Sequence, residues 1–255
     1  MTAKKIHYIY GFKDKELKFY EYINMLLCSR VIKPERIIFH TAQELNGKWF
    51  SLLKNNLINL EIRMVDTTID SNKMNSMVYY AHKADYYRLY MLNKEGGIYF
   101  DVDVFPYKPL DKLLKYNKTV LGIQKGKGLC NAVIIAPEND PFLSIWLSTY
   151  SSFKNSEWDK HSVVIPFELS KKYPGFVKVL NEKAFFYPLW HNNLKEILSE
   201  EDNFIEEGYC CHLWKTVCGI FLNKISPDFI IKSDSFYAKT VRKYVSLEEI
   251  MSWND

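Results

Sequence analysis

The sequence predicts an α/β protein with a Rossmann-like, mostly parallel central sheet flanked by helices. Short apolar, β-prone runs alternate with segments whose apolar residues recur at helical spacing, which is typical of parallel sheets. The run Ile98–Val104 is apolar on both faces apart from two aspartates, as expected of a central strand covered on both sides. With 255 residues, of which 47% are apolar and 16% aromatic, the chain can bury a sizeable core.

The elements follow one another from the N-terminus. The β-prone runs are 6–10, 36–40, 60–65, 98–104, 119–123 and 131–136, and the helical patterns cover 17–27, 44–56, 76–93 and 141–152. Gly96 and Gly97 should end the third helix, because glycine readily adopts the backbone conformation that follows a helix. Beyond residue 153 the pattern is weaker.

We expect a single continuous domain over residues 1–255, because no linker-like or low-complexity segment divides the chain. The formal net charge of +4 is spread along the chain without a basic cluster, so we expect no nucleic-acid partner. The five cysteines form no CxxC pair, and no apolar run is long enough for a signal peptide or a membrane span. These features predict a soluble protein with reduced thiols, located in the cytoplasm.

The chemistry is expected to centre on Asp101 and Asp103. Two aspartates separated by one residue on a strand leave the same face, where their charges repel unless a cation or strong donors neutralise them. Pro106 places the pair near the carboxyl end of the strand, where ligands bind in open α/β sheets. Carboxylate oxygens suit Mg²⁺ or Mn²⁺ bound together with a diphosphate. A solvated turn is the alternative reading of an isolated Asp-x-Asp pair.

Asp85 and Arg88 lie on the helix that precedes this strand. Their spacing of three places them on one side, and Arg88 falls among the apolar positions of the helix, where a guanidinium requires an anionic partner. Either Arg88 serves the acidic site, or it forms a structural ion pair with Asp85.

The stretch Ala84-Asp85-x-x-Arg88-x-x-x-Leu92-x-x-x-Gly96-Gly97-Ile98-Tyr99-x-Asp101-x-Asp103 resembles the sugar-binding DxD region of the family 32 glycosyltransferases. That family includes α1,4-galactosyl- and α1,4-N-acetylglucosaminyltransferases and bacterial or viral polysaccharide-building enzymes. The resemblance implies a GT-A fold and retaining transfer. It also implies one catalytic domain over residues 1–255, with a nucleotide-sugar half at about 1–120 and a smaller acceptor-side and C-terminal part at about 121–255. It extends over about residues 5–215 and is strongest from 83 to 110.

Other segments resemble the family more weakly. The opening strand ends at Tyr10 and Gly11, which the resemblance places at the nucleotide base, and Asn131 lies in a segment that carries an asparagine near the donor sugar and acceptor. The stretches Phe186-Tyr187-Pro188-Leu189-Trp190 and Cys211-His212-Leu213-Trp214 resemble late segments of the animal α1,4 enzymes. Those animal enzymes begin with a membrane anchor, so its absence here favours a bacterial or viral type.

The resemblance also assigns roles to residues. Asp101 would contact the donor and the metal, Asp103 would be the principal metal ligand, and Asp85 and Arg88 would hold the donor. His212 would be a third protein ligand, which favours Mn²⁺ over Mg²⁺, although a hydrogen-bonded histidine beside Trp214 is an equal alternative. Trp190 and Trp214 are the candidates for stacking on sugar. The predicted catalytic group is therefore Asp101, Asp103, Arg88 and Asn131.

The expected reaction is metal-dependent, retaining transfer of a hexose or N-acetylhexosamine from a UDP-linked sugar to a saccharide or glycan acceptor in polysaccharide biosynthesis. No second carboxylate can be placed opposite the sugar, so we expect front-face attack of the acceptor rather than a covalent intermediate. A lipid-linked acceptor would bring the protein to a membrane surface without a transmembrane segment. The alternatives are a carbohydrate-binding protein with a structural Ca²⁺ and a sugar nucleotidyltransferase.

Overall fold

The computed structural model describes residues 2–66, 71–189, 197–199 and 207–254, and a seven-stranded sheet forms its centre. The strand order is β3-β2-β1-β4-β7-β6-β8. The strands of this sheet are β1 (Lys5–Tyr10), β2 (Arg36–Thr41), β3 (Leu60–Met64), β4 (Gly97–Phe100), β6 (Thr119–Gln124), β7 (Gly128–Ala136) and β8 (Val177–Leu180). A second sheet pairs β5 (Val104–Pro106) with β9 (Cys210–His212) in antiparallel orientation. The predicted mostly parallel α/β architecture is confirmed.

Helices cover both faces of the central sheet. They are α1 (Phe19–Leu27), α2 (Lys48–Asn56), α3 (Ser71–Ser76), α4 (Tyr80–Glu95), α5 (Asp111–Leu114), α6 (Pro141–Ser148), α7 (Ile165–Lys172), α8 (Lys215–Leu222), α9 (Pro227–Lys232), α10 (Phe236–Tyr244) and α11 (Leu247–Met251). Among the described residues, no helix is both long and apolar enough to cross a membrane.

Strand β7 is the one strand of the central sheet that runs against the others. It follows β6 through a hairpin turn in which Gly126 has a φ of +74°, and a connection this short can only join antiparallel neighbours. Lys125 and Lys127 pair there with Glu182 and Asp159.

The end of α4 fixes the start of β4. Gly96 and Gly97 follow the helix with φ values of +61° and +119°, which confirms the predicted glycine stop. A Cβ atom on Gly97 would lie 2.7 Å from the carbonyl oxygen of Lys5, so glycine allows β4 to pack directly beside β1. The helix that carries Asp85 and Arg88 is thus placed rigidly over the strand that leads to the two aspartates.

Two hydrophobic cores lie on the two faces of the sheet. Alternate residues of one strand point to different cores: Tyr8 joins the core built with α1, α2 and the C-terminal helices, whereas Ile9 joins the core built with α4, α6 and α7. The carboxyl ends of β1 and β4 are neighbours. In the strand order, β2 and β3 extend the sheet beyond β1, and β7, β6 and β8 extend it beyond β4, so the order reverses between β1 and β4, which is where open α/β sheets bind ligands. The division of the chain near residue 120 stays a prediction.

Candidate active site

Asp101 and Asp103 lie on a tight turn at the carboxyl end of β4. The amide of Asp101 donates to the carbonyl of Ala132 at 2.9 Å, and the amide of Val104 donates to the carbonyl of Asp101 at 3.0 Å. The prediction of one strand over Ile98–Val104 was therefore wrong, because β4 ends at Phe100 and β5 starts in another sheet. The two carboxylates still converge, but it is the turn, rather than strand alternation, that brings them together.

His212 completes a group of three side chains that could hold a metal ion. Strand β9 pairs with β5 so that His212 lies opposite Val104. The His212 Nε2 atom lies 3.2 Å from Oδ2 of Asp103 and 3.9 Å from Oδ2 of Asp101. One ligand atom from each of the three residues lies within 4.8 Å of the others. Two carboxylates and one imidazole converging on one point fit a divalent cation such as Mn²⁺.

The electrostatics of these three residues favour a positive charge between them. Burial raises the pKa of Asp101, and the nearby Arg88 guanidinium only partly offsets this. Burial also opposes ionisation of Asp103, but the His212 imidazole and the backbone amide of Lys215 lower the pKa of this carboxyl to about 2. Although burial disfavours the imidazolium, Asp103 raises the pKa of His212 well above its usual value. A positive charge on His212 is therefore favoured beside the ionised carboxylate of Asp103.

Arg88 is buried on the wall of the site and is held by several partners. Its guanidinium lies 3.1 Å from Asp85, 3.2 Å from Asp101 and 3.0 Å from the carbonyl oxygen of Asn131. It stacks 4.5 Å above the centre of the Tyr99 ring, and the Asn131 amide donates to Asp85 at 2.7 Å. Arg88 therefore forms both expected contacts, the structural ion pair with Asp85 and a direct contact with the acidic site.

Tyr99 was not singled out from the sequence, although its hydroxyl donates a hydrogen bond to Oδ1 of Asp101. A signal was available, because residues two apart on a strand share a face and Tyr99 precedes Asp101 by two positions. The hydroxyl and the Arg88 guanidinium hold the same carboxylate oxygen, which leaves Oδ2 of Asp101 directed toward His212. Tyr99 thus orients a candidate metal ligand.

Lys215 is a second residue that sequence reasoning missed. Its backbone amide donates to Asp103 at 2.6 Å, while its Nζ lies 2.6 Å from Glu21 and 3.0 Å from Asp14. Glu21 is fully buried and also accepts a hydrogen bond from the Tyr10 hydroxyl at 2.9 Å. These contacts join the first helix to the start of α8, and no local sequence pattern indicates them.

A cleft of about 340 Å³ opens beside the three candidate metal ligands. Most of the residues assigned by resemblance line it, namely Tyr10, Gly11, Arg88, Asp101, Asp103, His212 and Trp214. Asp85 and Asn131 lie behind Arg88 and hold it. Trp190 lies outside the described residues. The structure thus brings most of the predicted site together, while the roles of these residues in binding and catalysis stay predictions.

Gly11 and Trp214 both line the cleft and are closely packed against neighbouring residues. A Cβ atom on Gly11, whose φ is +82°, would lie 2.7 Å from Oγ1 of Thr41, so the chain passes β2 closely at the end of β1. The Trp214 ring lies 4.2 Å from the His212 ring, between centroids. The tryptophan therefore packs on the candidate metal ligand and borders the cleft at the same time.

Comparison with known proteins relates this architecture to sugar transfer. Residues 21–120 match the family described as glycosyltransferase sugar-binding region containing DXD motif. Glucan organizing enzyme 1 of Cryptococcus neoformans var. grubii serotype A is 33% identical in an alignment 265 residues long. The alignment covers 96% of this chain and 71% of that protein.

Among solved structures, the fold is similar to two glycosyltransferases. Apo GlyE of Streptococcus pneumoniae TIGR4 matches with a TM-score of 0.54 at 11% identity over 98% of this chain and 62% of that chain. The PaToxG glycosyltransferase matches with a TM-score of 0.50 at 16% identity over 68% of this chain and 71% of that chain. The fold is of the GT-A type.

Proposed function

We propose a reaction for this chain, which belongs to the family of glycosyltransferases with a DXD-containing sugar-binding region and is therefore a transferase enzyme. In this proposal it moves a hexose or N-acetylhexosamine from a UDP-linked donor to a saccharide or glycan acceptor, with Mn²⁺ as the preferred metal and retention of anomeric configuration. The observation that carries it is the convergence of Asp101, Asp103 and His212 at the end of β4, on the wall of a cleft.

Each residue has a physical part in this proposal. Asp101, Asp103 and His212 would hold the divalent ion, which would stabilise the negative charge that develops on the leaving diphosphate. Arg88 and Tyr99 fix one oxygen of Asp101. Hydrogen bonds from residues that do not touch the metal keep a metal ligand oriented, as is usual around metal sites.

The lining of the cleft supports front-face attack by the acceptor. Among the described lining residues, the carboxylates are Asp14, Asp101 and Asp103. Asp14 is paired with Lys215, and the other two belong to the candidate metal site. None of them is left to form a covalent bond with the sugar, so we propose that the leaving phosphate accepts the acceptor proton. Retention would be read from the anomeric signals of the product by nuclear magnetic resonance, and a trapped glycosyl-carboxylate ester would contradict the front-face route.

The test of the proposed function is a panel of UDP- and GDP-linked sugars with Mn²⁺, Mg²⁺ or EDTA, in which release of the nucleoside diphosphate is measured. Asp103→Asn should lower the rate by at least about a hundredfold, because it removes a charge that holds the ion. Asp111→Asn is the matched control, since Asp111 is exposed and pairs with Lys4 at the surface. A structural-Ca²⁺ binding protein predicts no turnover of any donor, and equal rates for the two variants would contradict the metal role of Asp103.

We further propose a cytoplasmic location and a role in polysaccharide biosynthesis. All five cysteines are buried and none is in a disulfide bond, which supports a reducing compartment. Localisation of a tagged chain in its host would test this.

A further inference from the structure

Strand β3 forms one edge of the central sheet, and its outer side is open. In the part of the chain that the structure describes, β3 pairs with a single neighbour, β2, in a regular register. An open edge offers amides and carbonyls to another strand, and proteins usually protect it with proline, lysine or a bulge. The five residues Leu60–Met64 include no proline and no lysine, whereas β8 at the other edge carries Lys178. Strand β3 is therefore the less protected edge.

The backbone groups of alternate residues point outward from this edge. The Asn59 carbonyl and the Val65 amide both bond to β2, at 3.0 and 2.8 Å. Because these groups alternate in direction along a strand, Leu60, Ile62 and Met64 turn theirs away from β2. The Leu60 amide bonds within the preceding turn. Among the described residues, the Leu60 carbonyl and both groups of Ile62 and Met64 are thus available to a further strand.

The side chains of Ile62 and Met64 expose apolar area along the same edge. They are 43% and 60% exposed, and Leu60 on the same face is partly buried. Ile58, in the turn before the strand, is fully exposed. Pairing with another strand would therefore remove apolar area from water as well as form hydrogen bonds.

The charged side chains of β3 and its neighbours balance one another. Glu61 and Arg63 share the face opposite Ile62 and lie 2.5 Å apart. Arg36 of β2 pairs with Glu61, and Glu95 of α4 pairs with Arg63. Two acidic and two basic groups thus lie together, so an approaching strand meets no excess of either sign.

The order of these charges selects one register for pairing with a second copy of the chain. A two-fold axis brings the strand antiparallel to itself, and the outward-facing residues must then lie opposite one another. Three centres keep most of the strand paired. Centring on Glu61 puts two glutamates face to face, and centring on Arg63 puts two arginines face to face, which is unfavourable. Centring on Ile62 puts Glu61 opposite Arg63 of the second copy, twice.

We propose that two copies of this chain associate through β3, antiparallel about Ile62, so that two seven-stranded sheets join into one. The two Ile62 residues exchange a pair of hydrogen bonds, and each Met64 amide donates to the Leu60 carbonyl of the other copy. Asp66, beyond the strand, lies opposite the uncharged Ile58. The inference does not depend on the proposed transferase function, because the cleft at β1 and β4 is separated from β3 by β2.

The association is tested by sedimentation velocity of the unchanged protein from about 1 to about 200 µM, since a contact of this size is at the small end of specific interfaces. A dimer that dissociates on dilution is expected. Ile62→Lys puts two like charges at the axis and should weaken the dimer at least about tenfold. Ile220→Lys is the matched control, because Ile220 is 78% exposed on α8, and it should sediment like the unchanged protein. Circular dichroism spectra should be the same for all three.

The register is tested by oxidative cross-linking. In Ile62→Cys the new thiol faces its own copy across the axis, with Cα atoms about 5.5 Å apart, which is within reach of a disulfide bond. In Met64→Cys the two thiols lie four positions apart, about 14 Å along the strand, and should not cross-link although Met64 is the more exposed residue. The five natural cysteines are buried and do not compete.

Three results would each overturn the proposal. They are an unchanged protein that stays monomeric over the whole concentration range, a variant Ile62→Lys that associates as strongly as the unchanged protein, and cross-linking of Met64→Cys as fast as that of Ile62→Cys. Donor hydrolysis keeps this inference separate from the proposed function. Ile62→Lys should hydrolyse the donor at the unchanged rate, and a protein that dimerises but hydrolyses no donor would count against the transferase proposal alone.

Discussion

Acidification should destabilise the protein through His7 and His40, two imidazoles buried side by side on β1 and β2. His7 Nδ1 lies 3.2 Å from His40 Nε2, and His7 Nε2 lies 3.1 Å from the carbonyl oxygen of Gly96. Because that carbonyl can only accept, neutral His7 carries its proton on Nε2 and accepts a hydrogen bond from His40. These hydrogen bonds therefore require His7 to be neutral, because a second proton on its Nδ1 would lie against the N–H of His40, and burial of both rings disfavours a charge on either of them.

The two pKa values set the size of the effect. Burial, together with the neighbouring His40, lowers the pKa of His7 to about 3, and burial lowers the pKa of His40 to about 4. A histidine in the unfolded chain titrates near pH 6.5, so the unfolded state binds protons first as the pH falls. Stability from these rings is complete above about pH 6.5 and is lost as the pH falls toward 4 and 3. Between pH 7 and pH 5 the loss is about 2 kcal/mol for each ring and about 4 kcal/mol for both.

The assay is urea unfolding, followed by tryptophan fluorescence, at a series of pH values from 7.5 to 5. The double variant His7→Asn/His40→Gln should be less stable at pH 7 but lose about 4 kcal/mol less on acidification, and each single variant about 2 kcal/mol less. Other titrating groups are the same in all four proteins, so they cancel in the difference. Identical pH slopes for the unchanged protein and the double variant would refute the reasoning.

Three further predictions concern the site and the fold. Tyr99→Phe removes the hydroxyl that holds Asp101. The affinity for Mn²⁺, measured by calorimetry, should therefore fall by about tenfold or more, while the circular dichroism spectrum stays the same. An unchanged affinity would contradict this role of Tyr99. Glu21→Gln removes the nearest carboxylate from the half-buried ammonium group of Lys215, which keeps its contact with Asp14. The free energy of unfolding in urea should fall by roughly 2 kcal/mol, and a loss below about 0.5 kcal/mol would show that the pair matters little. Gly97→Ala should lower the free energy of unfolding by roughly 1–3 kcal/mol, because Gly97 has a positive φ and its Cβ position is crowded by backbone. Gly175→Ala is the control, since a Cβ atom at Gly175 would meet no atom within 4 Å. Equal melting temperatures for the two variants would argue against the close packing of β4 beside β1.

Much of the fold was predictable because its signals are local in the sequence. The alternation of strand and helix patterns, the glycines after α4 and the position of Arg88 among apolar residues each depend on neighbours within a few positions. The proximity of Asp101 and Asp103 was predictable for the same reason, although the strand proposed for them is a turn. The short glycine-containing loop between β6 and β7 is a further local signal, because such a loop is typical of an antiparallel hairpin.

The sequence by itself thus determined the class of fold, the acidic pair and its place at the end of a central strand. Only the tertiary structure decided that β9 pairs with β5, which brings His212 to Asp103, and that Lys215 reaches Glu21. It also decided that Val217 and Tyr80 flank the same opening. Contacts of this kind join residues far apart in the chain, and their energy comes from burial and pairing in the folded state, so spacing along the sequence carries no record of them.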